Sequence, residues 1–450
     1  MHLPRRFAWP LRSLCSLRPL LRATLLAVGA AALFAATLTP LAAVPDAAAK
    51  TKSTSNRAVV RFPSADVPDE GALSVVLQNS SIPTTIIVAK GTYKLTGQLF
   101  VFNRSNVVMC GATGRAGDVI FESPGGSGGA GIRSAVFLQQ SSNITFRDMT
   151  IRGTAAGGQS IFMDAALSTT LASFCESVTL DGCKLEADNP IVATAAARAL
   201  TVKNCRIKIG ATDGFGILWG DGDALLVSKT KITTASGVDA FAGILVLGAT
   251  AASSEGERAA RIILTRNRIE GAFARAIDLA DVLDARLRKN TILLSGDPIR
   301  EGTSITGGQR WGRVGILVRR GAATALPSDY ELRRNKVRGA LHGIWLSFTG
   351  QGVVSRNDLR RCGSPTVDEF FGEFGGALRL QLQSAICRIE VERNDMRNLR
   401  SPKSASDGSD IVDVPAVTVV PGSLASACFA DGDGGNRVSN GRVLFLGADE

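Results

Sequence analysis

Ile262-Ile263-Leu264-Thr265-Arg266-Asn267-Arg268-Ile269 alternates apolar and polar residues, turns through a polar stretch containing Asn, and resumes with an apolar residue. The same eight-residue unit returns as Ala285–Ile292, Tyr330–Val337, Gly352–Leu359 and Ile389–Met396, with Asn290, Asn335, Asn357 and Asn394 at its sixth place. Weaker copies stand upstream at Leu200–Ile207, Val178–Leu185 and Ile144–Ile151, where Cys205, Cys183 and Met149 occupy that place. With Thr230 included, the sixth places fall at 149, 183, 205, 230, 267, 290, 335, 357 and 394. Four of the intervals are 22 to 25 residues, and the others exceed them by loop-sized insertions. A fixed coil with variable loops is the mark of a solenoid, in which each coil stacks on the next at about 4.8 Å. The sixth-place residues then form a ladder along the axis. Stacked Asn amides bond to one another, and Asn tolerates the left-handed backbone such a corner needs. The unit is therefore read as frame.

A second strand precedes each unit: Gly216–Trp219, Gly243–Val246, Ala276–Leu279, Gly315–Val318, Gly343–Leu346 and Ala377–Leu380. Its second and fourth places alternate inward, so the third place is expected to face solvent. There the repetition stops: the residues are Leu218, Leu245, Asp278, Leu317, Trp345 and Arg379, with Arg319 two places beyond Leu317. The candidate site is placed on this strand. Asp278, Asp281, His342 and Arg379 are the candidate catalytic groups, as carboxylates, imidazole and cation suited to proton transfer and charge stabilisation. Arg319, Trp345, Trp311 and Arg313 are the candidate substrate-binding groups, an aromatic face for sugar stacking beside cations for carboxylates. Asp221 and Asp281 hold equivalent places two coils apart, about 10 Å, near the separation in inverting glycosidases. His342 is the only His beyond His2, which excludes a multi-His metal site. No metal or other cofactor is expected, and calcium is not excluded.

The 450-residue chain has 48 Gly and only 6% aromatics, which suits short strands and tight turns. Its net charge is +11. Residues 1–49 read as an export signal: five Arg ahead of and into the apolar run Leu25–Leu38, then Ala47-Ala48-Ala49 as a small-residue cleavage site. No later apolar stretch approaches the ~20 residues of a membrane helix, so the exported chain is expected to be secreted or periplasmic, without stable membrane insertion. Cys183 and Cys205 stack on adjacent coils, as a disulfide or as buried thiols, the latter favoured. Asp69–Gln78 is expected to be a short amphipathic helix, residues 50–400 the repeat domain, and 401–450 a C-terminal cap.

The run Thr84–Gly114, TTIIVAKGTYKLTGQLFVFNRSNVVMCGATG, resembles the opening coils of the pectate-lyase-like, right-handed parallel β-helix family, and the later units resemble its generic rungs. The resemblance implies an all-β, right-handed single-stranded parallel β-helix of about ten coils with a short N-terminal capping helix. Ala211–Gly216 also resembles the polygalacturonase motif, with only Asp213 retained. The fold hosts lyases, hydrolases, epimerases and non-enzymes. Its basic balance points to an acidic polysaccharide rather than nucleic acid as partner, because the cations are spread along the repeats. The expected function is binding of such a glycan, extending to cleavage of lyase or glycosidase type. The alternative is a non-catalytic structural or adhesive surface solenoid.

Overall fold

A computed structural model describes residues 57–123, 134–164, 175–194, 198–220, 222–248, 261–282, 284–296, 299–300, 311–319, 329–347, 351–363, 367–368, 373–374, 376–381, 388–397, 417–420 and 443–445. The expected export signal at 1–49 lies outside the described residues. The strands join one long parallel sheet wound into three faces, a right-handed parallel β-helix. The leading face holds the first half of each unit, as in Arg261–Thr265, whose alternate residues Ile262 and Leu264 are buried. The trailing face follows the Asn corner, and the third face carries the Gly-Ile strands. Among the described residues the leading-face ladder runs in unbroken register from Ala58–Phe62 to Arg388–Glu392.

Inward side chains of the three faces make one continuous core, into which Ile262, Ala285, Tyr330 and Ile389 project from stacked rungs. Core volume is shared between neighbours: Gly352 sits opposite Tyr330, and a Cβ there would meet the Tyr330 ring at 2.2 Å. Glu70–Val76 is helical, with the Asp69 carboxylate accepting from the Ala72 N–H at 2.8 Å and Leu73 buried. Of 401–450, Val417–Val420 and Val443–Phe445 extend the third-face ladder beyond Leu378–Gln381. The rest of that expected cap lies outside the described residues.

The Asn ladder forms as its spacing predicts. Each Asn backbone N–H and Nδ2 donate to Oδ1 of the next Asn, at 3.0 and 3.0 Å from Asn267 to Asn290 and at 2.9 and 3.1 Å from Asn335 to Asn357. The second Nδ2 proton goes to a carbonyl of the preceding coil, Val227 for Asn267 and Leu287 for Asn335. Sequence distance is immaterial, since the 45-residue step from Asn290 to Asn335 has the same bonds as the 22-residue step that follows. Upstream, the Asn267 Oδ1 accepts from Thr230, and the Thr230 hydroxyl from Cys205. Cys183 and Cys205 are free thiols. Each points at a carbonyl of the preceding coil, Phe146 and Leu180, as a weak stand-in for the amide donor.

One expectation is corrected here. The left-handed residue at each corner is not the Asn but the residue before it: Arg266, Lys289, Arg334, Arg356 and Arg393 have φ of 57, 58, 55, 55 and 52°. The turn is made one residue early so that the Asn itself points inward.

Candidate functional site

The third face places the sequence-predicted residues on one column, in register as Asp278, Leu317, Trp345 and Arg379. The column does not face solvent. Asp278 is 0% exposed, Trp345 4% and Arg379 2%. The outer side of this face has apolar packing of its own, with Val314, Leu317 and Trp345 in one cluster and Phe241, Ala242, Leu245 and Ala274 in another. Alternation tells which side of a sheet a residue occupies, and a parallel sheet is commonly covered on both.

Asp278 is clamped by two guanidiniums: Arg275 Nη1 donates to Oδ2 at 2.6 Å and Arg319 Nε to Oδ1 at 2.8 Å. Burial alone would raise its pKa, but Arg319 and Arg275 outweigh it and hold the carboxyl below its ordinary value. An ionised, fully engaged carboxylate is a poor proton donor. Arg275, which stands just before the Ala276–Leu279 strand unit, also lies 5.2 Å from the centre of the Phe241 ring. Replacing Asp278 by Asn is expected to lower stability by about 2–3 kcal/mol, since two cations lose their partner while Arg319 keeps some solvent. Because the folded pKa is depressed, the wild-type advantage is present above the ordinary value of 3.8 and is lost as pH falls through the lower folded one. Urea denaturation of the two proteins across pH 7 to 3 checks this, and the gap must shrink at the acid end.

His342 is 0% exposed, with its ring 5.2 Å from that of Trp345, and the Arg379 guanidinium lies 4.3 Å from the Trp345 centroid. These three form a buried stack instead of an open sugar platform. Asp278 is three rungs from Arg379, about 14 Å at the strand spacing, so the two do not converge. Arg313, 4% exposed, gives a two-pronged bond to Asp239 at 2.8 and 2.7 Å and acts as a staple between coils. Asp281 turns a corner with φ 54°, its N–H on the Arg319 carbonyl at 3.0 Å, and Asp213 turns another with φ 62°. Of Trp311 only the backbone is described, paired antiparallel with Arg300. Asp221 lies outside the described residues.

A strongly charged recess lies elsewhere, on the outside of the Asn corner. Lys229, Arg266, Lys289, Arg334, Arg356 and Arg393 are the left-handed residues of six successive corners, all exposed. Five backbone bonds of 3.0–3.1 Å tie each corner N–H to the residue before the next, as from Arg266 to the Arg288 carbonyl and from Arg334 to the Ser355 carbonyl. The cations therefore recur once per coil, over about 24 Å. The first five of them, with Arg288, Arg333 and the small Ser228, Thr265 and Ser355, line a groove of about 530 Å³ that contains seven cations and two carboxylates, Glu331 and Glu392, and Arg393 follows Glu392 at the next corner. Arg288 and Arg333 are ion-paired with Glu331. None of the six corner cations forms an ion pair.

This arrangement opposes local preference. The left-handed conformation costs a residue with a Cβ about 1–2 kcal/mol, least for Asn and Asp and nothing for Gly. The three earlier corners obey: Asp148, Gly182 and Asn204, with φ of 56, 66 and 56°. The six later ones carry Lys or Arg, and neighbouring cations add repulsion of about 1 kcal/mol per close pair in water. The repulsion falls away if an anion lies along the groove, while the backbone cost stays as a fixed cost of presenting the cations there. The sequence signal was present as a Lys or Arg immediately before each ladder Asn.

No family model and no characterised protein sequence matches the chain. Among solved structures it is similar to the pectin methylesterase from Aspergillus niger, with 13% identity and a TM-score of 0.37 over 84% of this chain and 94% of that one. The pectin methylesterase from Yersinia enterocolitica gives 12% and 0.27 over 70% and 86%. The catalytic domain of a GH87 alpha-1,3-glucanase in complex with tetrasaccharides gives 12% and 0.36 over 89% and 71%. By its own strand register, the chain is a parallel β-helix.

Proposed function

We propose that the protein binds an acidic polysaccharide lengthwise along the corner groove. The observation that carries this reading is the run of six unpaired cations, one per coil, held in backbone positions that their residue types disfavour. Strain retained at consecutive equivalent positions points to function at those positions. The repeat suits a polymer with a carboxylate on successive sugars, since each Arg can take a carboxylate through two parallel N–H bonds. Binding, not cleavage, is the activity favoured, because Asp278, His342 and Arg379 are buried in an ion-pair clamp or a ring stack and Asp281 is a half-buried corner residue apart from them.

The test is retention of the exported chain on immobilised pectate, alginate and glycosaminoglycan against neutral dextran, with parallel assays for reducing ends and for the ultraviolet absorbance of unsaturated products. Salt-reversible retention on the polyanions without product is expected. Passage through all three columns at low salt refutes the reading in favour of the structural or adhesive solenoid.

A further inference from the structure

On the trailing face, Lys336, Arg338, Arg360 and Arg361 enclose a second recess of about 250 Å³ whose lining is entirely cationic. It has an organised interior. Arg338 reaches Asp358 Oδ2 and the Asp358 carbonyl, while Arg360 Nε and Nη2 reach Asp358 Oδ1 and Oδ2 at 2.9 and 3.1 Å. Burial disfavours the charged form of Asp358, yet the bonds from Arg360 and Arg338 outweigh it and keep the carboxyl well below its usual range. One carboxylate thus orients two guanidiniums and neutralises one. Asp395 adds a longer contact to Arg360 at 3.7 Å and is itself engaged by Arg397 at 2.8 Å. Lys336 and Arg361 form no ion pair. Arg361 is another non-Gly residue in the left-handed region, with φ 61°, and its carbonyl accepts the Gly339 N–H.

We propose that this recess binds a phosphate or sulfate group. A planar carboxylate is satisfied by one guanidinium fork. A tetrahedral oxyanion has oxygens on all sides and suits four cations converging from successive coils, two of them pre-set. The same chemistry is presented by a free inorganic ion and by an ester on a sugar. The site rests on residues separate from the corner groove and does not depend on the reading given for it.

Isothermal titration of the intact chain with inorganic phosphate, sulfate, a hexose phosphate and galacturonate tests the assignment. Phosphate or sulfate, free or as the ester, is expected to bind, with affinity falling at least tenfold in Lys336→Gln and in Arg361→Asn. Both side chains are exposed, and Asn is at ease in the left-handed region, so both variants are expected to keep the wild-type thermal transition. Arg266→Asn must leave this binding unchanged while weakening retention on pectate, which separates the two sites. Binding of the free ion alone identifies an inorganic ligand, and comparable binding of the hexose phosphate identifies an ester; either supports the site. No binding of any oxyanion at millimolar concentration, binding indifferent to both substitutions, or galacturonate bound as tightly as phosphate overturns it.

Discussion

Asn335→Ala is expected to destabilise the protein by about 3–6 kcal/mol, more than any single surface change. The Asn335 Oδ1 accepts both the backbone N–H and Nδ2 of Asn290, and its Nδ2 serves the Leu287 carbonyl. Ala removes these three bonds and the Nδ2 bond to Asn357 Oδ1, four in all, in a site where Asn290 and Asn335 are 0% exposed, and each orphaned buried group costs about 1–3 kcal/mol. Asn335→Asp is no rescue, since it supplies the acceptor but loses both donors and buries a charge. Thr291→Ala, on the outer side of the adjoining strand, is the control and is expected to change stability by under about 0.5 kcal/mol. Guanidinium denaturation followed by circular dichroism measures the difference. If unfolding proceeds coil by coil, the damage should appear as an early transition, because solenoid coils are coupled only to their neighbours. A loss below 1 kcal/mol for Asn335→Ala would show that water or a relaxed backbone replaces the amide.

The second large effect concerns binding, with stability moving the other way. Arg266, Arg334 and Arg356 replaced together by Asn should remove three of the six corner cations while relieving the left-handed backbone at three positions. The variant is expected to be as stable as the wild type or more stable, by up to about 1–2 kcal/mol, while its affinity for a polyuronate falls at least tenfold. The slope of log affinity against log salt should drop by about 0.7–0.9 per cation removed, as counterion release requires. Affinity chromatography in a salt gradient and a thermal melt, run on the same preparations, give both signs. Unchanged retention with raised stability would mean that the corner cations are strained for no ligand.

The architecture was legible from Ile262–Ile269 because a coil's corner must satisfy its own backbone, and Asn does so in a way that repeats in sequence. The candidate site was much less legible. Counting alternate residues put Asp278, Trp345 and Arg379 on the outer side of the third face, where they are, but alternation carries no information about what else packs there. Arg275 escaped because it stands outside the counted places, and Asp239 because its partner Arg313 is 74 residues away. The corner groove escaped for a different reason. Arg266 and its equivalents lie within the same repeated unit as the ladder Asn, and in sequence the turn looks like the Asn's own, although its outward neighbour makes it.

The indifference of the Asn ladder to intervening length bears on how such a chain can change over generations. A cut at one Asn corner and a join at another restores the same amide bonds, whichever of the coils from Asn267 to Asn394 are brought together. Each duplication of one of these Asn coils therefore adds one positive charge to the outside as automatically as it adds one amide to the inside. On the function proposed above, the length of polymer gripped becomes a heritable count, altered in whole steps by unequal recombination, and avidity changes with it multiplicatively.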